Sequence, residues 1–257
     1  MEELRIALLA DFHYGYPEDE EMEKYLVPAV ENMIEEVNEF EPDVVISLGD
    51  FIQHSSRKTD LERLEKAGEL LDQAEAPVYA IPGNHDPMTV SKEEVMEKIS
   101  VENQETYFSL ELDERKLIFV DTIAQIDDIY GAGLIGSEQR EWLEEEMETG
   151  KEVLIFSHHL LHHRNLEGNW YFDDKPELAA AIDKKNFQKI AGEKPRAVFS
   201  AHIHEAGAEE FNEVPHFTTP GMDKYNPPES FEENHALVTV TDGEIKFETQ
   251  GETYRSE

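Results

Sequence analysis

A chain of 257 residues with 39% hydrophobic content is long enough and apolar enough to bury a substantial core. Its 59 Asp and Glu outnumber 22 Lys and Arg, a formal net charge of −37, which argues against a long nucleic acid as partner because phosphates need cationic side chains to neutralise them. Cysteine is absent, so disulfides, thiolate nucleophiles and Cys-ligated zinc or iron–sulfur centres are excluded, and any metal must be held by His, Asp, Glu, Asn or backbone.

The N-terminal residues carry no basic segment followed by an apolar one, and no stretch reaches the ~18 uninterrupted apolar residues of a membrane span. The expectation is a cytoplasmic protein without a membrane partner. Its acidity, with no matching rise in lysine, points to the cytoplasm of a salt-in halophile. At about 1 M salt the Debye length falls to ~3 Å, which screens self-repulsion.

Leu4 to Ala10 reads as a buried first strand, ending in Asp11-Phe12-His13 and the turn Tyr14-Gly15-Tyr16-Pro17. Met22, Tyr25, Leu26, Ala29, Val30, Met33, Ile34, Val37 and Phe40 then recur at the three-and-four spacing of one helix face, and Pro42 marks its end. Asp43 to Leu48 is a second, β-branched strand that runs into Gly49-Asp50-Phe51. Leu61, Leu64, Ala67, Leu70 and Leu71 outline a second helix. Val78 to Ile81 is a third strand, closed by Pro82-Gly83-Asn84-His85-Asp86, where Pro fixes φ and Gly permits a tight turn. This β-α-β-α-β order predicts parallel strands with right-handed, helix-covered crossovers.

Beyond a short helix at Ser91 to Ile99, Thr106–Leu110 and Lys116–Val120 flank Asp113-Glu114 as a hairpin. Ser137 is the expected N-cap of a helix through Trp142, Leu143 and Met147. Glu152 to Phe156 is a buried strand ending in Ser157-His158-His159. A loop with Trp170, Tyr171 and Phe172 leads to a helix from about Pro176 to Ala191. Arg196 to Ser200 is a strand ending in Ala201-His202-Ile203-His204. Strands near Val214–Thr218, Ala236–Thr241 and Glu244–Thr249 read as antiparallel, with Asp242-Gly243 as a two-residue turn. With no repeat and no linker, residues 1–257 read as one α/β domain.

The polar residues recur in one kind of place. Asp11/His13, Asp50, Asn84/His85, His158/His159 and His202/His204 each follow the C-terminal end of an expected strand, where α/β sheets collect their ligands. Carboxylates, an amide oxygen and imidazoles together suit manganese, iron, zinc or nickel better than calcium. So many ligands suit two ions sharing a carboxylate.

The ordered set Asp-x-His, Gly-Asp, Gly-Asn-His-Asp, His-His and His-x-His from Asp11 to His204 resembles the calcineurin-like metallophosphoesterase superfamily. Gly136-Ser137-Glu138-Gln139 before Trp142-Leu143 is similar to its cyclic-nucleotide phosphodiesterase and purple acid phosphatase branches. The resemblance implies a two-sheet β-sandwich flanked by helices. It implies two divalent or trivalent transition-metal ions, manganese favoured, with Asp11, His13 and His204 on one, Asn84, His158 and His202 on the other, and Asp50 bridging. It makes His85 the catalytic imidazole and Asp86 the group that orients it, with in-line attack of a metal-bridging hydroxide on a small phosphodiester, such as a cyclic nucleotide, or a phosphomonoester. Ala201 and Leu160 depart from the Gly and Pro common in the last two motifs. Phe51-Ile52-Gln53 lacks the Asp-Arg-Gly of the protein phosphatases; a nuclease of the superfamily and a metal-binding scaffold without catalysis are the alternatives. His162 and His163 read as solvent or rim residues. Trp170, Tyr171 and Phe172 are open between packing, which is favoured, and stacking on substrate. Arg57, Lys58 and Arg164 are candidates for meeting a second phosphate substituent.

Overall fold

The computed structural model describes residues 2–16, 20–123, 131–192, 194–222 and 234–256, with side chains from 24 onward in the second of these segments. Pro17 and the side chain of Met22, both part of the sequence expectations, lie outside the described residues.

The first half forms as its hydrophobic periodicity dictates. Strands β1 (Leu4–Leu9), β2 (Val44–Ser47) and β3 (Val78–Ala80) pair in parallel, crossed over by helices α1 (Glu20–Phe40) and α2 (Arg57–Leu71). Helix α3 (Lys92–Ile99) begins at a capping box, in which the Ser91 side chain and Glu94 each satisfy the other's backbone amide. β4 (Phe108–Leu112) and β5 (Arg115–Val120) make the expected hairpin. The next elements are α4 (Ser137–Glu146), β6 (Glu152–Ser157), α5 (Lys184–Ala191), β7 (Pro195–Ser200), β8 (Gly207–Phe211), β9 (Val214–Thr218), β10 (His235–Val240), β11 (Ile245–Thr249) and β12 (Glu252–Ser256).

Two six-stranded mixed sheets result, ordered β12-β11-β10-β1-β2-β3 and β4-β5-β6-β7-β9-β8. Their inner faces share a core of side chains that alternate along the strands, among them Ile6, Leu8, Val44 and Ile46 from one sheet and Leu117, Phe119, Leu154, Phe156 and Phe199 from the other. Phe108, Phe119, Phe156, Phe199 and Phe217 stand in register on neighbouring strands of the second sheet and stack at 4.2–5.3 Å between ring centroids. Phe217 then meets Phe247 of the first sheet at 5.1 Å. This ladder ties the sheets together beneath the ends of β5 to β7. Helices α1 to α3 cover the outer face of the first sheet and α4 and α5 that of the second.

The structure corrects several expectations. The final strands are not one antiparallel set. β9 runs parallel to β7, and only β8 opposes it, whereas β10, β11 and β12 return antiparallel to the first sheet. Ser137 is the first residue of α4, not its cap; Gly136 holds that position at φ 81°. No side chain caps the first turn; the Asp183 carboxylate instead accepts the amides of Ile135 and Gly136 at 3.0 and 3.2 Å and so fixes the chain as it enters the helix. The helix expected from Pro176 to Ala191 is broken. A 3-10 turn at Pro176–Leu178 gives way to an isolated bridge between Ala180 and Leu160, made by Leu160 N to Ala179 O (3.1 Å) and Ala181 N to Leu160 O (2.9 Å). Tertiary pairing overrides helix propensity there.

His162, expected at the surface or rim, is buried; its ring packs against that of His216 of β9, with centroids 4.3 Å apart and planes tilted by 47°, and His163 is exposed. Burial, with His162 adding to it, pushes the His216 imidazole down to about 3. Since the unfolded value is near 6.5, the unfolded chain binds the extra proton between these limits. The contribution of His216 to stability is therefore complete above about pH 6.5 and is lost as pH falls toward 3. Between pH 7 and 4.5 the unfolding free energy of the wild type should fall by roughly 2–3 kcal/mol more than that of His216→Phe, measured by urea titration. Parallel pH curves for the two proteins would contradict this.

Candidate metal centre

The C-terminal ends of β1, β2 and β3 meet those of β6 and β7, and the loops they release are stitched together by backbone hydrogen bonds. Asp11 N donates to Gly49 O and His13 N to Asp50 O, both at 2.9 Å, so the β1–β2 pairing continues through the loops. Ala201 N donates to His158 O at 2.9 Å across the other sheet. Asp11, His13, Asp50, His202 and His204 all have positive φ, between 48° and 71°. Non-glycine residues occupy this region at a cost of about 1–3 kcal/mol each, and such residues cluster at functional sites. Gly49 (φ 94°) and Gly83 lie so close that a side chain on either would strike the other loop's backbone, which explains Gly-Asp and Pro-Gly-Asn-His as a matched pair.

All seven expected ligands converge. His13 Nε2 lies 3.1 Å from His204 Nε2, which is 3.5 Å from Asp11 Oδ1. His158 Nε2 lies 3.0 Å from Asn84 Oδ1 and 3.1 Å from His202 Nδ1. Asp50 Oδ2 sits between the two groups, 3.7 Å from His13 Nε2 and 3.6 Å from His158 Nε2. Metal–nitrogen bonds of ~2.0–2.1 Å place neighbouring ligand atoms about 3 Å apart, the spacing seen here. Asp11–His13–His204 and Asp50–His158–His202 are each compact enough to hold an ion.

The outer nitrogens fix the tautomers. His158 Nδ1 donates to Leu48 O (2.8 Å), His202 Nε2 to Leu178 O (3.2 Å) and His204 Nδ1 to Met222 O (3.1 Å), so in each ring the opposite nitrogen presents a lone pair inward. The break that ends the Pro176 helix thus puts the Leu178 carbonyl where His202 needs it. Burial pushes His158 down to about 4 and His202 well below the usual histidine range, so both are neutral near pH 7, the form that binds metal. His159 is differently placed. Its Nε2 donates to Gly131 O (2.9 Å) and its Nδ1 faces the Thr122 hydroxyl (2.8 Å), so both nitrogens are engaged away from the centre. Of the adjacent pair, His158 is the one aimed inward.

Asp86 is fully buried and accepts the amides of Gly83 (2.7 Å), Asp50 (2.9 Å) and Ile52 (3.2 Å). Burial, and then the Asp50 carboxylate, push its pKa up. Its hydrogen bonds clamp two ligand loops rather than the His85 ring. His85 Nδ1 instead faces His54 Nδ1 at 3.2 Å, and His54 belongs to no recognisable motif. Gln139, from the motif at 136–143, is also structural, holding Asp121 by its backbone amide (2.8 Å) and carbonyl (2.7 Å).

A cavity opens over the centre, lined by His13, Asp50, Asn84, His85, His202 and His204 and walled by Trp170, Tyr171, Phe172 and Leu178. No Lys or Arg lines it among the described residues. Arg57 pairs with Glu94 and Arg164 with Thr218 and Glu209, while Lys58 is exposed beside Glu62; none of the three lines the cavity.

The profile of the calcineurin-like phosphoesterases matches residues 4–206, and the chain belongs to that family; it is a metal-dependent phosphoesterase. A Fibrobacter succinogenes protein described as a probable cyclic nucleotide phosphodiesterase is 29% identical over 189 residues, 65% of this chain and 67% of that one. A dimetal phosphatase from Danio rerio superposes with a TM-score of 0.79 at 14% identity over 98% of both chains. The inner membrane complex anchor of Plasmodium superposes at 0.65 with 11% identity, over 98% of this chain and 88% of that one. These two likenesses show the shared two-sheet fold.

Proposed function

We propose that this chain hydrolyses small phosphodiesters with two transition-metal ions, one held by Asp11, His13 and His204, the other by Asn84, His158 and His202, with Asp50 shared. The observation that carries this is the position of Asp50 Oδ2, nearly equidistant from His13 and His158. Bound there, the ions would polarise the phosphoryl oxygens and lower the pKa of a water so that it attacks near neutral pH. Hydrolysis adds water across one P–O bond and leaves a monoester and an alcohol, so the departing oxygen must gain a proton. His85 lines the cavity and its backbone amide is fixed by Asp50 Oδ1 (2.7 Å). With Nδ1 turned to His54, Nε2 is the nitrogen that delivers that proton.

The wall favours a diester. Beyond the ions themselves, the described cavity offers neither Lys nor Arg to meet the second negative charge that a phosphomonoester carries, whereas a diester brings only one. The Fibrobacter relative named as a probable cyclic nucleotide phosphodiesterase supports the same choice. The net charge of −37 supports a small substrate over a long nucleic acid. None of the described helices is long and apolar enough to cross a membrane.

The test is hydrolysis of bis-p-nitrophenyl phosphate beside p-nitrophenyl phosphate, in molar KCl, with Mn²⁺ or with EDTA. The diester should be preferred, activity should vanish in EDTA, and His85→Ala should be slower by about 10²–10⁴-fold. Two ions bound without turnover of either ester would instead indicate a metal-holding scaffold.

A further inference from the structure

The aromatic run at 170–172 divides in the structure. Phe172 is buried, 3% exposed, and packs on the His202 ring at 4.9 Å. Trp170 and Tyr171 are 40% and 37% exposed and both border the cavity over the metal centre. Both are more than half covered, and the area they leave exposed faces the cavity, where a bound ligand could cover it.

The loop that carries them is built, not loose. Asn169, almost fully buried, accepts the amides of Tyr171 (3.0 Å) and Phe172 (2.8 Å) through Oδ1 and donates through Nδ2 to Ile203 O (3.2 Å). Ile203 lies between His202 and His204, so one side chain locks the aromatic loop to the loop of two candidate ligands. The Trp170 ring stands 6.0 Å from the His204 ring and 5.3 Å from the Tyr171 ring, whose own face carries the Lys175 ammonium at 4.8 Å. Tyr171 is therefore a braced neighbour, and Trp170 is the broad surface next to the centre.

Building on the phosphodiesterase assignment above, we propose that Trp170, supported by Tyr171, is a stacking platform for a planar heterocycle carried by the ester, so that the enzyme selects nucleobase-bearing phosphodiesters over aliphatic ones. A flat base stacks on an indole whatever its hydrogen-bonding edge, which selects the class of substrate without selecting one base. The absence of Lys and Arg from the described wall fits a ligand recognised by its ring rather than by a second phosphate.

Two esters with the same leaving group test this: the p-nitrophenyl ester of thymidine 5′-monophosphate and methyl p-nitrophenyl phosphate. The ratio of their kcat/KM values should fall between about 5- and 150-fold in Trp170→Ala and recover in Trp170→Phe. A residue that only supported the fold would slow both esters together and leave the ratio unchanged, which would overturn the proposal. A second readout does not need turnover. The chain has two tryptophans, so Trp142→Phe leaves Trp170 as the sole indole reporter. With Zn²⁺ bound, adenosine 5′-monophosphate should quench its fluorescence saturably and ribose 5-phosphate should not. Equal responses to the two would reject the platform. If neither ester turns over, the phosphodiesterase assignment fails, while the fluorescence comparison still decides whether Trp170 stacks a base.

Discussion

Replacing Asp50 by asparagine should reduce metal-dependent diester hydrolysis by at least about 10³-fold while leaving the protein folded. Both oxygens of Asp50 are committed. Oδ1 accepts the His85 amide at 2.7 Å, and Oδ2 faces His13 and His158. An asparagine keeps the shape and an oxygen for the His85 amide, but it removes the negative charge that two cations would share. Neutral imidazoles and the Asn84 amide supply lone pairs without charge, so of the proposed ligands only Asp11 and Asp50 offset the charge of the ions. Losing one of the two carboxylates that offset the ions' charge costs several kcal/mol, and each 1.4 kcal/mol is a factor of ten. Elemental analysis after dialysis should show fewer than two ions per chain, with the circular dichroism spectrum unchanged. A variant that keeps two ions and activity within tenfold of the wild type would remove Asp50 from the bridging position. Alanine is the harsher comparison, because it also frees the His85 amide and so disturbs the Gly83–Asp86 turn.

The parts of this centre legible in the sequence are those in which residue type and strand end coincide. Asp11, Asp50, Asn84, His158 and His202 stand out because a polar side chain within a few residues of the end of a buried apolar strand has little structural purpose there. The backbone partners that orient the rings were not legible. Leu48, Leu178 and Met222 contribute carbonyl oxygens, which any residue would carry, so no side-chain pattern marks them. His54 and Asn169 lie in loops whose path is set by tertiary contacts. The strands missed, β8 and β12, are sheet edges with the sequences GAEEF and ETYRS. Edge strands carry charge to discourage pairing with other chains, and that charge erases the alternation by which a strand is recognised. The Pro176–Ala191 stretch failed for the opposite reason, since its helical spacing is real but pairing with Leu160 wins.

The acidity has its own structural expression, and it predicts that the melting temperature will rise by roughly 10 °C or more between 0.1 and 2 M KCl. Glu31, Glu35 and Glu39 form an i, i+4 row along α1, and none of the three is buried. On α4, Glu138, Glu141, Glu144 and Glu145 are exposed, while the lone base of that helix, Arg140, is paired with Asp183. Like charges at this spacing cost about 0.2–0.5 kcal/mol per pair, and many of the few cations are engaged elsewhere, as in Arg115–Glu152, Lys116–Glu146 and Lys92–Asp121. Dilute buffer therefore leaves the surface repulsion uncompensated, whereas molar salt shortens its reach to ~3 Å. Summed over the surface, a few kcal/mol of relief at about 2–4 °C per kcal/mol gives the predicted shift. Glu35→Lys converts the α1 row into two attractive pairs, so it should raise the melting temperature at low salt and narrow the gap between the two salt conditions. Melting curves that stay flat or fall with KCl, in wild type and variant alike, would mean that the acidic surface is tolerated in dilute buffer and is not an adaptation to salt.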